Sequence, residues 1–488
     1  MSIDRDPAGT KPLGMAGPWA SRRQLLLSAG GLGPLSLLDL LLQDPASAAA
    51  KTAAAGRCHF APKARSVIML FCPGGVSQVD TYDHKPELER LDGKKFDRPG
   101  EFFAKSPTVY RRSHFPFTRH GQCGRPLSSL FPRLGQCVDD MAFIHSMTVH
   151  SAIHGPATFL MNTGFAMPGF PAMGAWMSYG LGRETDNLPT FVVLPDPRGL
   201  PPGGPRTWGA GFLPAIHQGT ALATESGRDP IADLFAPQGA KLDAPGESAT
   251  RNFLRQLNQL HLQQRSGNSD LAARIAAYEM AARLQLSAPE ATDLGRESPA
   301  TRQSYGLDRA ETQGFGRQCL LARRLVERGV RFVQVFCGAD NTSPPRPNWD
   351  AHEDIVANHG RHGPVLDVGA SALIQDLKAR GMLDQTLVIC TSEFGRQPAQ
   401  QGTGKGRDHN PDTFTNWLAG GGIRPGFAYG QSDEIGYKVG EKPVTNYDLH
   451  ATLLHLLGID HTRLTYYHNG IERRLTDVHG HVVRDLIA

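Results

Sequence analysis

Asp350 and His352 lie two residues apart in Asn348-Trp349-Asp350-Ala351-His352-Glu353-Asp354, with His359 and His362 close behind. An extended backbone sends residues i and i+2 to one side, whereas a helix splays them. In an extended loop the pair can share a ligand, and carboxylate with imidazole suits zinc, manganese or iron. A solvated acidic turn is the competing reading. Asp80 sits among Ser77, Gln78 and Asp83 in a polar loop after Pro73-Gly74-Gly75, either as a metal carboxylate or as part of an Asx-capped turn. His145, His150 and His154 fall within ten residues just ahead of a helix signature, and three together point to a site where one alone reads as structural. Glu393 and His409 flank a glycine-containing loop, in Ser392-Glu393-Phe394-Gly395 and Gly406-Arg407-Asp408-His409-Asn410. His217 reads equally as packing or as binding.

The elements that must position these groups are those of an open α/β sheet. Residues 66–72, 141–146, 191–194, 331–336 and 386–391 are apolar runs, expected of strands covered on both faces. Two helix-glycine-strand units, 315–336 and 365–391, have the form of half a βαβ crossover. Sheets of this kind bind ligands in the crevice beyond the strand carboxyl ends. Asp80, the Asp350 loop and Glu393 all fall there. Residues 155–164 predict a helix with proline in its first turn and glycine at its end, and its N-terminus suits an anionic ligand. Residues 415–418 predict a further strand, and 444–457 a short strand or turn and a helix opened by Asp448. Phe253, Leu257 and Leu260, then Leu271, Ile275, Tyr278 and Ala282, repeat at helical spacing. They predict a two-helix insertion at about 248–290 whose apolar stripe packs on the core.

A net charge of +4, 40% apolar residues and 54 glycines describe a globular, loop-rich chain. No basic run is dense enough to follow nucleic acid. Seven scattered cysteines, with no C-x-x-C pair, argue against a cysteine-zinc cluster and against a disulfide framework. Cys72, Cys337 and Cys390 are expected as buried thiols. In residues 1–50, Ser21-Arg22-Arg23-Gln24-Leu25-Leu26 precedes a weakly apolar stretch and Ala46-Ser47-Ala48-Ala49-Ala50. This reads as a twin-arginine leader, an ordinary amphipathic helix being the alternative. Residues 51–64 then read as a linker and 65–488 as the folded domain. The expected location is periplasmic or otherwise extracytoplasmic, with the twin-arginine export machinery as a partner. No later run reaches the roughly 18 apolar residues of a membrane span.

Several blocks resemble the alkaline-phosphatase superfamily, its sulfatase branch above all. Residues 383–395 are similar to the sulfatase segment ending in Thr-Ser-Asp-His-Gly, and 448–459 to its Asp-x-x-Pro-Thr helix. Residues 154–164 are similar to the helix bearing the sulfatase nucleophile. From about residue 20 onward the chain resembles the sulfatase-like domain-of-unknown-function family 1501. The residues concerned are Pro73-Gly74-Gly75-Val76-Ser77-Gln78-Val79-Asp80, Asn162-Thr163-Gly164, Trp349-Asp350-Ala351-His352, Glu393-Phe394-Gly395-Arg396 and Gly406-Arg407-Asp408-His409. The resemblance implies an alkaline-phosphatase-like three-layer α/β fold, with a central mostly parallel sheet and a helical insertion. It also exposes departures. His154 stands where the cysteine that becomes formylglycine belongs, Thr158 where its arginine belongs, and Phe394 where a metal-binding histidine belongs. Pro73-Gly74-Gly75 replaces the first-strand acid.

For the site, the resemblance implies a divalent ion, zinc, manganese or calcium, on Asp350, His352, Glu393 and His409, with Asp80 as an outer candidate. It implies Arg396 and Arg407 as clamps on a sulfate or phosphate group, and His154 or His150 as general acid or base. The expected activity is metal-dependent hydrolysis of an anionic ester, on a small molecule or a polysaccharide. The alternative is a non-catalytic binding or scaffold protein that retains a vestigial pocket.

Overall fold

The structure, a computed structural model, describes residues 58–98, 107–185, 187–224, 244–265, 290–340 and 343–488, with isolated positions between 271 and 279. The expected leader, the first half of the linker and most of the second insertion helix lie outside the described residues.

Strand β1 (Ser66–Phe71) is buried along its whole length. Its side chains alternate between two cores: Ile68 and Leu70 enter one, and Val67, Met69 and Phe71 the other. A strand apolar at both parities needs a layer on each face, and the chain supplies both. The main sheet continues through β2 (Met141–Thr148), β3 (Phe191–Leu194), β4 (Thr220–Ala221), β5 (Phe332–Phe336), β6 (Thr386–Thr391), β7 (Phe414–Ala419), β8 (Phe427–Tyr429) and β9 (Val444–Thr445). Its order is β8-β2-β7-β6-β1-β5-β3-β4, with β9 paired to β2. Only β7 runs antiparallel to its neighbours. The fold is therefore α/β with a central, mostly parallel sheet.

One face is covered by residues of α1 (His154–Thr163), α2 (Met173–Leu181) and α6 (Asn446–Leu456), which share a core with Met69 and Phe71. The other is covered by α4 (Gln313–Glu327) and α5 (Ile355–Ala379), which share a core with Ile68 and Leu70. A further helix, α3 (Ala244–Gln264), lies in the insertion. The three layers leave the carboxyl ends of β1, β5 and β6 side by side. Helix α6 is opened by a reciprocal cap in which the Thr445 hydroxyl accepts from the Asp448 N–H and the Asp448 carboxylate accepts from the Thr445 N–H.

Three expectations differ from what is observed. The helix predicted from residue 365 begins at Ile355, ten residues earlier. Pro364 lies inside it, and proline ordinarily ends a helical reading. The start is set instead by Asp354, whose Oδ1 accepts N–H bonds from Val356 (2.8 Å) and Ala357 (3.0 Å). His359 and His362, expected in a loop, are thus buried helical residues. Residues 58–64, expected as linker, are docked: the His59 N–H reaches the Gly458 carbonyl at 2.7 Å, and that of Lys63 reaches Leu456 at 2.8 Å. The α3 stripe expected in the core is open among the described residues, with Phe253 61% and Leu260 56% exposed.

Asp354→Ala should lower stability by about 1 kcal/mol, the usual worth of an N-cap, whereas Asp354→Asn retains most of it; urea midpoints measure both. Two rings remote from the α5 cap predict a pH dependence. Burial pushes His145 and His450 down to about 4. Their folded values lie below the unfolded value, so their contribution is complete above pH 6.5 and is lost as pH falls toward 4. Each should then remove about 1.4 kcal/mol per pH unit in that window, seen as falling urea midpoints between pH 7 and 5.

Candidate metal centre

The site is assembled from loops beyond β1, β5 and β6 and from the start of α1. After β1, the chain turns at Pro73-Gly74-Gly75, where Gly74 has φ of +110°. A Cβ on Gly74 would stand 2.4 Å from the Asp350 nitrogen, so only glycine lets the Asp350 loop come this close. That loop is tied to the turn by the Trp349 N–H on the Pro73 carbonyl at 2.9 Å. From its far side the Arg407 N–H donates to the Ala351 carbonyl at 3.0 Å. His409 is held in a two-stranded antiparallel pair, Gly395–Arg396 with His409–Asn410.

These constraints bring together His154, Asp350, His352 and His409, each offering a ligand atom within 4.8 Å of all the others. Asp350 Oδ1 lies 3.0 Å from His352 Nε2 and 3.6 Å from Nε2 of both His154 and His409; His352 Nε2 lies 3.0 Å from His409 Nε2. Tetrahedral zinc with bonds of about 2.0 Å has ligand-to-ligand edges of about 3.3 Å. The spacing straddles that value. Two of the rings also have the outer partners expected of metal-binding histidines. His154 Nδ1 lies 2.6 Å from Glu393 Oε1, and His352 Nδ1 lies 2.6 Å from Gln401 Oε1. Both leave Nε2 facing the centre. The donor set therefore fits a divalent transition metal.

Charge is concentrated here. Burial resists ionisation of Asp350, but the Arg396 guanidinium and three neighbouring imidazoles hold its carboxyl far below the usual range. Burial disfavours a charged His154 as well, yet Asp350 and Glu393 outweigh it and raise this ring to about 9. Burial, aided by Arg396, pushes His409 down to about 3. At neutral pH without metal, His154 is protonated and His409 is not.

The other predicted residues fall elsewhere. Glu393, expected as a ligand, stands one step out: it is fully buried and accepts from the Gly74 N–H at 2.7 Å and the Ser392 hydroxyl at 3.1 Å, besides facing His154. Asp80 is consumed by Arg407, 2.7 Å from its Nε, and by the Ser77 hydroxyl at 2.5 Å. The two predicted clamps are also internal. Arg396 is fully buried and donates to the carbonyls of Gly74, Gly75 and Arg407 and, at 2.5 Å, to Asp350. Arg407, 1% exposed, serves Asp80 and three carbonyls. Neither guanidinium is left to grip a substrate. His150 is exposed, outside the cluster, and His217 packs on Ser178 and Tyr179. Two residues escaped the reading. Gln401 carried no signal, whereas Arg346, 2.6 Å from Asp350 Oδ2, stands four positions before its partner and was detectable as a charge pair.

Sheet and site together define an α/β protein with a His/Asp cluster, suited to a metal, at the carboxyl edge of a mostly parallel sheet. A family model described as a protein of unknown function (DUF1501) matches residues 64–487, and the chain belongs to that family. No curated protein matches it. It is similar to the lipoteichoic acid synthase LtaP of Listeria monocytogenes, at 9% identity over 84% of this chain and 78% of that one, with a TM-score of 0.37. The PsFucS1 sulfatase of a Pseudoalteromonas species is 13% identical over 83% and 69%, at 0.33. A protein in the alkaline phosphatase superfamily from Vibrio parahaemolyticus is 11% identical over 83% and 69%, also at 0.33.

Glu393→Ala and Gln401→Ala should each weaken metal binding about 10–100-fold, read by competition with a chelator, with the melting transition retained. Gly74→Ala should weaken it further, because the added methyl displaces the backbone of Asp350.

Proposed function

We propose that the protein is an exported metal-dependent hydrolase of sulfate or phosphate esters, on a small molecule or a polysaccharide. The reading is carried by one observation, the convergence of Asp350, His352, His409 and His154 in a partly open site. Their side chains remain 13%, 23%, 12% and 25% exposed. Asp350, His352 and His409 would hold the ion, which supplies Lewis acidity toward an ester oxygen.

His154 is then the acid. Its ring stands at the N-terminus of α1, with Nδ1 on Glu393 and Nε2 toward the cluster. Glu393 favours the protonated ring, which would give its Nε2 proton to the departing ester oxygen, with the attacking water supplying the proton that restores it. Glu393 holds the ring and stabilises its charge. Phe394, fully buried, closes the side between the rings of His154 and His409, at centroid distances of 4.9 and 4.6 Å. Substrate oxyanion recognition falls to the ion and His154, since Arg396 and Arg407 are occupied. No helix among the described residues is long and apolar enough to cross a membrane.

A second reading rests on the same distances. His154 lies inside the four-donor group, and four protein ligands make a closed, structural site in a non-catalytic protein. Metal analysis of variants separates the two. If three residues hold the ion, His352→Ala and His409→Ala lose it. His154→Ala keeps it while turnover of p-nitrophenyl sulfate or phosphate falls about 10²–10⁴-fold. In the closed site His154→Ala loses the ion too, and neither ester is turned over by the wild type. A folded wild-type protein that takes up no metal would refute the hydrolase.

A further inference from the structure

A second polar cleft of about 330 Å³ lies apart from the cluster, and none of the four clustered residues lines it. Its walls include Lys85, Arg125, His145, Tyr429 and Lys442. Arg125 is the unusual member. The side chain is half-buried, and its Nε is buried without a hydrogen-bond partner. No carboxylate lies within salt-bridge distance of it among the described residues. Its guanidinium carbon lies over the Phe143 ring at 5.5 Å, a cation–π contact that supplies no hydrogen-bond acceptor.

The other charges on the wall do not relieve it. Lys85 is paired to Asp83 at 3.0 Å, and Asp83 also takes the Ser432 hydroxyl. Lys442 is paired to the exposed Asp485 at 3.3 Å. His145 is nine-tenths buried on the same wall, with Nδ1 on the Thr415 hydroxyl at 3.2 Å and its ring stacked on Phe143. Glu441 is exposed at the rim. A guanidinium whose Nε meets no acceptor keeps donor capacity that an oxyanion in the cleft would satisfy.

We propose that this cleft is a binding site for a small oxyanion, a phosphate or sulfate group, with Arg125 as its principal ligand. The planar guanidinium offers paired donors to two oxygens of such a group. His145 and the Tyr429 hydroxyl are uncharged polar groups on the same wall. The shared chemistry is that of the tetrahedral anion, whether free or carried as a monoester on a sugar. The inference stands on this cleft alone and is independent of the hydrolase reading.

Thermal melting and calorimetric titration of the full, metal-replete chain test it, at constant ionic strength, with inorganic phosphate, sulfate and glucose 6-phosphate as probes. Phosphate or sulfate should saturate one site per chain and raise the melting temperature. Arg125→Met should weaken that binding at least tenfold, and its anion-free melting temperature should equal or exceed the wild type's, because an unpaired charge has been removed. His352→Ala should leave the anion response intact. Tighter binding of glucose 6-phosphate would assign the group to a sugar ester, and equal binding to the free anion. The proposal is overturned if no probe binds, if Arg125→Met responds as wild type, or if its anion-free melting temperature falls, which marks Arg125 as structural. It is equally overturned if the response disappears in His352→Ala and survives in Arg125→Met, which places the anion at the metal cluster.

Discussion

The buried guanidinium of Arg396 is the tie on which the His/Asp cluster depends. It is fully withdrawn from solvent, and its donors reach the carbonyls of Gly74 and Gly75 after β1, the Arg407 carbonyl after β6 and the Asp350 carboxylate after β5. One rigid cation thus sets the relative positions of three loops from three adjacent strands. A lysine has neither the planarity nor the number of donors to do so. Burying such a charge is tolerable only with its hydrogen bonds met and an anion beside it, and Asp350 is that anion. The same contact keeps Asp350 ionised, and its Oδ1, which accepts from Arg396, also faces the three imidazoles. Architecture and chemistry share one ion pair.

Arg407 repeats the device one layer further out. It binds Asp80 and joins the carbonyls of Arg111, Arg112 and Gln397. Two arginines near a cluster of ligand-type residues look, in sequence, like clamps on a substrate anion. A guanidinium holding backbone carbonyls has the same sequence appearance as one holding a sulfate. Only burial distinguishes them, and sequence spacing does not carry burial. Asp80 was open for the same reason: an acid in a turn is metal ligand, cap or ion pair according to its partners, and the deciding one here, Arg407, is 327 residues away.

Where local chemistry decides, the chain was legible. β3 and β6 have the predicted bounds because an apolar run ended by glycine, proline or acid has one economical use in a parallel sheet. Helix α1 follows from its early proline and terminal Gly164, which takes φ of +81°. Asp350 and His352 were legible as a pair because a two-residue spacing has a definite meaning on an extended backbone. Helix α5 was not, because the cap at Asp354 overrides Pro364, and weighing the two requires the fold. The exposed stripe on α3 shows the limit of periodicity. An amphipathic pattern gives the direction of a face and not what covers it.

The departures from the sulfatase pattern become intelligible as one exchange. Phe394 takes a position where the resemblance places a metal-binding histidine, and a phenyl ring cannot bind a metal ion. It packs instead against both His154 and His409, whose rings also touch each other. His154, where the resemblance places the nucleophile, turns its Nε2 toward Asp350 from the opposite wall. An imidazole is absent from the strand end and one stands at the start of α1, whereas the acid expected after the first strand has no replacement in the cluster. Glu393 joins the two changes, since the residue beside Phe394 is the one that holds His154 Nδ1. In this arrangement the position that the resemblance gives to the nucleophile holds an imidazole instead. That imidazole is held by Glu393 and stands beside three further residues that could share a metal ion with it.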